Sequence, residues 1–494
     1  MFIFTDDHAV QAIGAYGSKI NATPNIDRIA ESGCVFTRSF CGNSICGPSR
    51  ATVLTGKHSH KNGFLSNSSG PFDGSQTTFP KLLRAAGYQT ALVGKWHLKS
   101  QPTGFDYWEI LQGQGDYYNP VFLSEGAEAG ESDSTQAMGY CTDLITDKAV
   151  AWLNQRDADR PFLLMCQHKA PHRTWAPPLR YLDRYEEQDI PEPATLFDDY
   201  QGRSRSLAEN KMSIDKDFSY PYDLKIREPV PFANAYEQRF RDNEYARMTP
   251  EQRAAWEAAF GPRNEAFLAS PPQGRALVRW KYQRYIKNYL RCIDAVDDGV
   301  GRLLDYLEEQ GLSENTIVVY GSDQGFYLGE HGWFDKRWMF EESLKMPLLM
   351  RWPGVIPEGA EQDALVQNID YGPTFLDAAG LPPDPAMQGE SMRRLFTEEA
   401  PRWRDAVYYH YYEGGGEHNV PRHEGVRTAR YKLIYFYDRG EYNLFDLKSD
   451  PNELRSLHDE PGSEAVLAEM KSQLQRLRRQ YEVTAGSPER RNAE

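Results

Sequence analysis

Cys46 opens the run Cys46-Gly47-Pro48-Ser49-Arg50-Ala51-Thr52-Val53-Leu54-Thr55-Gly56 in a chain with only six cysteines. Pro48 suits the first turn of a helix, where its missing N–H costs nothing, and Ser49 to Leu54 continue that helix. The sulfur then stands at a helix N-terminus, where orphan N–H groups and the dipole favour an anion and Arg50 adds a permanent positive charge. A buried cysteine ahead of an ordinary helix is the competing reading. Asp6-Asp7 and Asp323-Gln324 offer oxygen donors in two pairs. Oxygen-only ligation with several carboxylates suits a hard divalent cation, Ca²⁺ or alternatively Mg²⁺, rather than zinc. A single Asp-Asp pair is more often a turn or a helix cap, and the second pair is what shifts the balance. Lys95 and His97 stand two apart at the end of an apolar run, a spacing that puts both on one face of a strand, as solvated surface or as part of a site. His172, in Lys169-Ala170-Pro171-His172, belongs to the residue type most easily poised for acid–base work near neutral pH, whereas His168 reads as structural.

These groups need a scaffold that gathers them. Four short apolar runs end in the polar clusters: Phe2–Thr5 before Asp6, Thr90–Val93 before Gly94-Lys95-Trp96-His97, Phe162–Cys166 before Gln167-His168-Lys169, and Ile317–Tyr320 before Gly321-Ser322-Asp323. Near-continuous apolar runs of this length read as strands buried on both faces. An amphipathic stripe of Ile293, Val296, Val300, Leu303, Leu304 and Leu307, stopped by Gly311, predicts a helix between them. Alternating strands and helices predict an α/β fold with a large, doubly wound, mostly parallel sheet, whose strand carboxyl ends collect the ligand site.

Residues from about 190 to 275 break the alternation with prolines, charges and aromatics. They read as an insertion, either walling the cleft or without function. A proline-rich stretch at Leu381-Pro382-Pro383-Asp384-Pro385 predicts a boundary, giving a catalytic domain over 1–383 and a C-terminal α+β subdomain over 384–494. In the latter, strand-like runs at Ala406–Tyr412, Gly425–Thr428, Tyr431–Tyr437 and Tyr442–Leu447, then a helix from about Ser463 to Tyr481, predict a small antiparallel sheet backed by a helix.

A length of 494 residues, 40% hydrophobic content and no apolar run long enough for a membrane span fit a globular chain. A net charge of −15 argues against a nucleic-acid partner, because phosphate binding needs a basic face. The cysteines show no C-x-x-C spacing, so neither a zinc ribbon nor a dense disulfide framework is expected; at most Cys34 and Cys41 form a pair. Met1-Phe2-Ile3-Phe4 runs straight into Asp6-Asp7 without the basic, apolar and cleavage regions of an export signal.

C-x-P-S-R followed by T-G is the maturation motif of the type I sulfatases, and the chain resembles that family, within the alkaline-phosphatase-like superfamily, along nearly its whole length. The resemblance implies that Cys46 is oxidised to formylglycine by a formylglycine-generating or sulfatase-maturating enzyme acting on residues 46–50, and that its hydrate attacks sulfur. It implies calcium at Asp6, Asp7, Asp323 and Gln324, the last replacing an asparagine common in relatives and reaching from a longer arm. It gives Lys95 and Lys336 sulfate-binding roles, Arg50 a share in offsetting sulfuryl charge, His172 protonation of the leaving oxygen, and His97 removal of the proton that releases sulfate. His331, in Leu328-Gly329-Glu330-His331-Gly332, would contact a sugar or hold the loop; Arg337 reads as structural. Relatives usually carry a longer first strand and a signal peptide before it, so either the true start lies upstream or the protein stays in the cytoplasm.

His410, Glu413, His418, Arg422, His423 and Arg427 cluster around Gly414-Gly415-Gly416. In the family this region lies beside the leaving group, and its polarity suits a hydroxyl-rich sugar, with His418 and Arg422 as contacts. Asp335-Lys336-Arg337 with Tyr411-Tyr412-Glu413-Gly414-Gly415-Gly416 resembles the N-acetylglucosamine-6-sulfatases and related bacterial glycan sulfatases. Two alternatives stand: a phosphate or phosphonate ester hydrolase of the same superfamily, and a non-catalytic glycan-binding homologue.

Overall fold

The structure is a computed structural model and describes residues 1–128, 130–228, 230 and 243–483. A ten-stranded sheet is built from β1 (Phe2–Thr5), β2 (Cys34–Phe36), β4 (Gln89–Gly94), β5 (Tyr107–Leu111), β6 (Val121–Glu125), β7 (Ser132–Gln136), β8 (Phe162–Gln167), β9 (Val318–Ser322), β10 (Leu348–Arg351) and β11 (Ala360–Gln362). The order is β11-β2-β10-β9-β1-β8-β4-β5-β6-β7. The four predicted strands, β9, β1, β8 and β4, are central neighbours and mutually parallel. On one side β10 runs antiparallel to β9; on the other β5 is parallel to β4, and β6 and β7 follow in antiparallel pairings.

Alternate residues of the central strands go to opposite faces, as the strand period of two requires. Ile3, Val93, Cys166 and Tyr320 enter one apolar cluster together with the helix Arg275–Glu309. Phe2, Phe4, Leu92, Met165 and Val319 enter another on the opposite face. Both faces are therefore dry, which is why these runs read as continuously apolar. The Arg275–Glu309 helix begins well before the stripe that predicted it, because its first half buries Lys281, Arg284, Asn288 and Arg291 among the apolar positions.

A second, two-stranded pairing joins β3 (Ser39–Phe40) to β12 (Val366–Gln367). The C-terminal sheet is antiparallel in the order β13 (Ala406–Tyr411), β14 (His423–Thr428), β15 (Tyr431–Phe436), β16 (Glu441–Asp446), backed by the helix Glu464–Gln480. One of its faces covers that helix. From the other, Val407, Tyr409, Tyr411, Ile434, Phe436 and Phe445 pack into the large sheet's own core. Each fully buried Val, Ile or Phe contributes about 1.5–3 kcal/mol, so the small sheet is welded to the large one. All six cysteines are free, Cys34 and Cys41 included. Among the described residues no helix is long and apolar enough to cross a membrane.

Candidate active site

Register decides where the functional residues meet. Thr5 pairs with Ser322, Phe4 and Gly94 each pair with Gln167, and so the central strands end level with one another. The chain leaving each end brings in Asp6-Asp7, Asp323-Gln324, Lys95 and the 168–172 turn at the sheet's carboxyl edge. Gly94 makes one of these exits feasible: its φ is +103°, and a Cβ there would lie 2.0 Å from the Gln167 carbonyl oxygen. Lys95 and His97 do not share a strand face as their spacing suggested, because β4 ends at Gly94 and His97 has a φ of +59°.

Asp6, Asp7, Asp323 and Gln324 are fully buried. Carboxylate oxygens of the three aspartates lie within 4.8 Å of one another. Asp6 Oδ1 and Gln324 Oε1 have no hydrogen-bond partner, and a buried orphan oxygen is costly unless something positive meets it. The donor set therefore fits a hard divalent cation, with the Gln324 amide reaching the nest despite its longer arm. Without a cation, burial first and then the Asp323 and Asp335 charges push the Asp7 carboxyl up to about 7, although Lys336 works the other way. Asp7 holds a left-handed backbone, φ +71°, the kind of strain that persists where surrounding structure over-determines a site.

Cys46 begins the helix Cys46–Thr55, all ten residues of which are buried, and Gly56 ends it at a φ of +63°. With every side covered there is no amphipathic stripe, so only Pro48 and Gly56 marked the helix. Cys46, Asp6 and His172 present ligand atoms within 4.8 Å of one another, which sets the sulfur against the carboxylate nest. Burial pushes the thiol up to about 12, with Lys336 and Arg50 only partly opposing it. At neutral pH the group is a protonated thiol rather than a thiolate nucleophile. Arg50 does not face the sulfur alone: its Nε and Nη2 each stand 3.0 Å from Asp323 Oδ2, and Nη1 donates to Lys95 O and Gln167 Oε1 at 3.0 and 2.7 Å.

Lys95 donates to Asp6 and Gln114, and Lys336 reaches Asp7 Oδ2 at 2.7 Å. His172 Nδ1 hydrogen-bonds the Arg173 carbonyl, which fixes the N–H on that side and leaves Nε2 turned to the nest, 3.8 Å from Asp7 Oδ2. Burial, then the charges of Lys95, Lys336 and Lys169, hold His172 well below the ordinary imidazole range. His97 is depressed in the same way, by burial and then Lys95, and its Nδ1 lacks a partner.

The outer predictions divide. His331 is fully buried, its Nδ1 2.7 Å from Asp198 Oδ2 and its ring packed on Trp333 and Phe340, so of its two roles the placement fits holding the loop. His418 is also buried; Nε2 meets Asp335 at 2.9 Å and Nδ1 the Lys211 carbonyl at 2.8 Å, so it positions Asp335 instead of facing a ligand directly. Burial works against ionising Asp335, but His418, Lys336 and Arg337 outweigh it. Arg422 pairs with Asp438 and lines a separate open depression with Tyr412, Asn419 and Arg439. His423 stacks on Trp338 and Tyr409, and Arg427 pairs with Glu341, both inside the fold. Arg337, read as structural, bridges toward the rim by contacting Glu413 and Tyr411, each at 3.2 Å. Sequence reasoning missed Asn67, whose Oδ1 accepts the Gly47 N–H at 3.1 Å, as well as Gln114, Gln167 and Arg173. Gln167 carries a signal, as the polar last residue of an apolar strand; Asn67 and Gln114 sit in loops with none. Arg173 ties Asp223, within the 190–275 segment, to the turn that carries His172, at 2.7 and 2.8 Å, and approaches Glu417 at 3.3 Å.

An α/β sheet with a buried carboxylate nest, a cysteine-headed helix and two lysines at its carboxyl edge defines an alkaline-phosphatase-like ester hydrolase. The chain belongs to the sulfatase family of sulfuric ester hydrolases: residues 1–381 match the family Sulfatase, and 329–480 match the family N-sulphoglucosamine sulphohydrolase, C-terminal. It is 45% identical over 488 residues, 97% of this chain and 86% of the relative, to an N-acetylglucosamine-6-O-sulfatase of Bacteroides thetaiotaomicron. It superposes with a TM-score of 0.93 at 44% identity, over 99% of each chain, on a protein solved in complex with its substrate D-glucosamine-2-N,6-O-disulfate. A phosphonate monoester hydrolase from Silicibacter pomeroyi, at 21% identity and a TM-score of 0.70 over 97% of this chain and 95% of that one, shares the fold.

Proposed function

We propose that this protein removes sulfate from a sulfated glycan, with a 6-O-sulfated glucosamine residue as the substrate, by S–O cleavage. The observation that carries the reading is the meeting of Cys46, Asp6 and His172 within 4.8 Å beside a buried three-carboxylate nest. The similarity to the Bacteroides N-acetylglucosamine-6-O-sulfatase supports the choice of sugar. Asp6, Asp7, Asp323 and Gln324 would hold Ca²⁺, and Cys46 would be the residue converted to formylglycine. When present, the calcium supplies positive charge for sulfate oxygens and the converted side chain supplies the oxygen nucleophile that a protonated thiol lacks.

The remaining work falls to this chain's own side chains. Lys336, held protonated against burial chiefly by Asp7, and Lys95, whose proton affinity burial lowers and an arriving anion restores, offset the charge that shifts toward the sulfate oxygens. His172 is neutral in the free protein; the approach of the sulfate anion raises its proton affinity at Nε2, from which the departing sugar oxygen is protonated. His97 holds the complementary role of proton acceptor, which its depressed range permits. Arg50 orients Asp323, and Arg337, from a left-handed backbone of φ +90°, ties the Lys336 segment to Tyr411 and Glu413.

Release of inorganic sulfate from a panel of sulfated mono- and oligosaccharides, led by 6-sulfated N-acetylglucosamine, tests the reading with protein co-expressed with a formylglycine-generating enzyme. Release by wild type and none by Cys46→Ala is the expected result. No release from any sugar, with cysteine conversion verified by mass spectrometry, would refute it and turn attention to phosphoesters.

A further inference from the structure

The turn after β8 carries a cation that the scheme above leaves unused. Lys169 is 3% exposed, and its ammonium lies over the Tyr117 ring, 4.9 Å from the centroid. Lys95 and Lys336 each meet a carboxylate, on Asp6 and Asp7. Lys169 meets none: among the described residues no oxygen accepts a hydrogen bond from its Nζ. Glu244, near enough to feel its charge, has its oxygens turned to the Tyr117 and Tyr118 amides at 3.1 and 3.4 Å. A ring face attracts an ammonium from one side but gives its three N–H donors no oxygen. The residue is buried as a whole, yet its Nζ is not among the buried side-chain atoms left without a partner, so the tip keeps access to solvent and an anionic oxygen from outside the chain can supply the acceptor that the ring does not.

Its neighbours say which side of the site that is. The Lys169 carbonyl accepts the His172 N–H at 3.0 Å, and the Tyr117 hydroxyl donates to the His172 carbonyl at 2.6 Å. One turn therefore delivers both the lysine and the histidine that faces the leaving oxygen. The Lys169 charge also weighs against protonating His172 and His97.

We propose that Lys169 is a third substrate-binding lysine, on the leaving-group side, that donates to a sulfate oxygen of the bound sugar. The inference rests on the sulfatase reading given above. The oxygen can come from the ester being cleaved or from a second sulfate on the same sugar.

Lys169→Met keeps the stem over Tyr117 and removes the charge; Lys169→Arg restores a charge, and Lys169→Gln serves if the methionine variant does not fold. Sulfate release by converted, calcium-loaded protein is measured on 6-sulfated N-acetylglucosamine and on glucosamine N,6-disulfate. The expected result is a loss of about 10- to 100-fold in kcat/KM for the methionine variant, the range of a charged hydrogen bond, with partial recovery in the arginine variant. An equal loss on both sugars assigns the cleaved ester, and a loss confined to the disulfated sugar assigns the second sulfate; either supports the proposal. Unchanged kcat/KM on both sugars, with wild type active, overturns it. If wild type releases no sulfate, the substrate reading has failed, and calorimetric binding of inorganic sulfate to calcium-loaded wild type and Lys169→Met decides for Lys169: weaker binding by the variant supports it and equal binding overturns it.

Discussion

Arg50 grips Asp323 by a single carboxylate oxygen: Nε and Nη2 both stand 3.0 Å from Oδ2, while Oδ1 accepts the Asp7 N–H at 3.3 Å. The residue four positions after Cys46 thus fixes a ligand of the carboxylate nest and, through Gln167 and the Lys95 carbonyl, two more strand ends. A lysine cannot reproduce that fork. Arg50→Lys is expected to weaken calcium affinity and to reduce kcat/KM by about 10- to 100-fold, the cost typical of losing a partner that orients a metal ligand. Arg50→Ala, which leaves buried Asp323 without its cation, is expected to lower stability by about 3–5 kcal/mol in denaturant unfolding. Wild-type calcium affinity in Arg50→Lys would refute the positioning role.

Cys46 is 1% exposed and its thiol is pushed up to about 12. The native protein should therefore react slowly with a thiol reagent at pH 8, and unfolding in guanidinium should expose the full set. Because all six cysteines are free, the unfolded count distinguishes six thiols in unconverted protein from five when Cys46 has been oxidised. Cys46→Ser and Cys46→Ala should both abolish turnover, since neither carries the second hydroxyl of an aldehyde hydrate through which sulfate is expelled; near wild-type sulfate release by either would sink the mechanism.

Calcium removal has a pH signature. The Asp7 pKa in the folded, metal-free protein, about 7, lies above its unfolded value of 3.8, so between these two the folded state binds more protons. Stability of the chelated protein should then fall as pH rises from about 4 through 7, as far as this group is concerned. Added calcium should restore most above pH 7, by about 2.7 kcal/mol at a hundredfold excess over Kd. Melting temperatures with EGTA and with calcium at pH 5 and pH 8 check this, and an equal calcium effect at both pH values would count against it.

His172 should matter in proportion to how badly the leaving oxygen needs a proton. His172→Ala is expected to lose about 10²–10⁴-fold in kcat on a sugar sulfate and much less on 4-nitrophenyl sulfate, whose phenolate departs unaided. Equal losses on the two substrates would mean that the residue does not protonate the leaving group.

The four strand ends were legible because buried parallel strands announce themselves as apolar runs, and the C-terminal strands because their alternation and turns are local. What stayed hidden had no local signal. Ser132–Gln136 exposes all five residues of β7, so no apolar pattern marks it. Lys95 and His97 were grouped by strand pleat, but β4 ends at Gly94, and positive φ values at Gly94 and His97 set the course of the chain there. His331 and His418 look alike as polar loop residues in sequence; only packing shows that one is locked on Asp198 and the other on Asp335.

β1 lies between β8 and β9, which are contributed by far later parts of the chain. During synthesis β1 can pair with β8 once Gln167 has emerged, but its other edge stays open until Ser322 follows, about 10–30 seconds later at about 5–20 residues per second. Until then the helix headed by Cys46 lacks the Asp323 that Ser49 and Arg50 hold in the finished fold, and the thiol that ends up sealed is still open to solvent. The strand order thus acts as a clock: it sets how long the Cys46 thiol remains reachable before folding seals it.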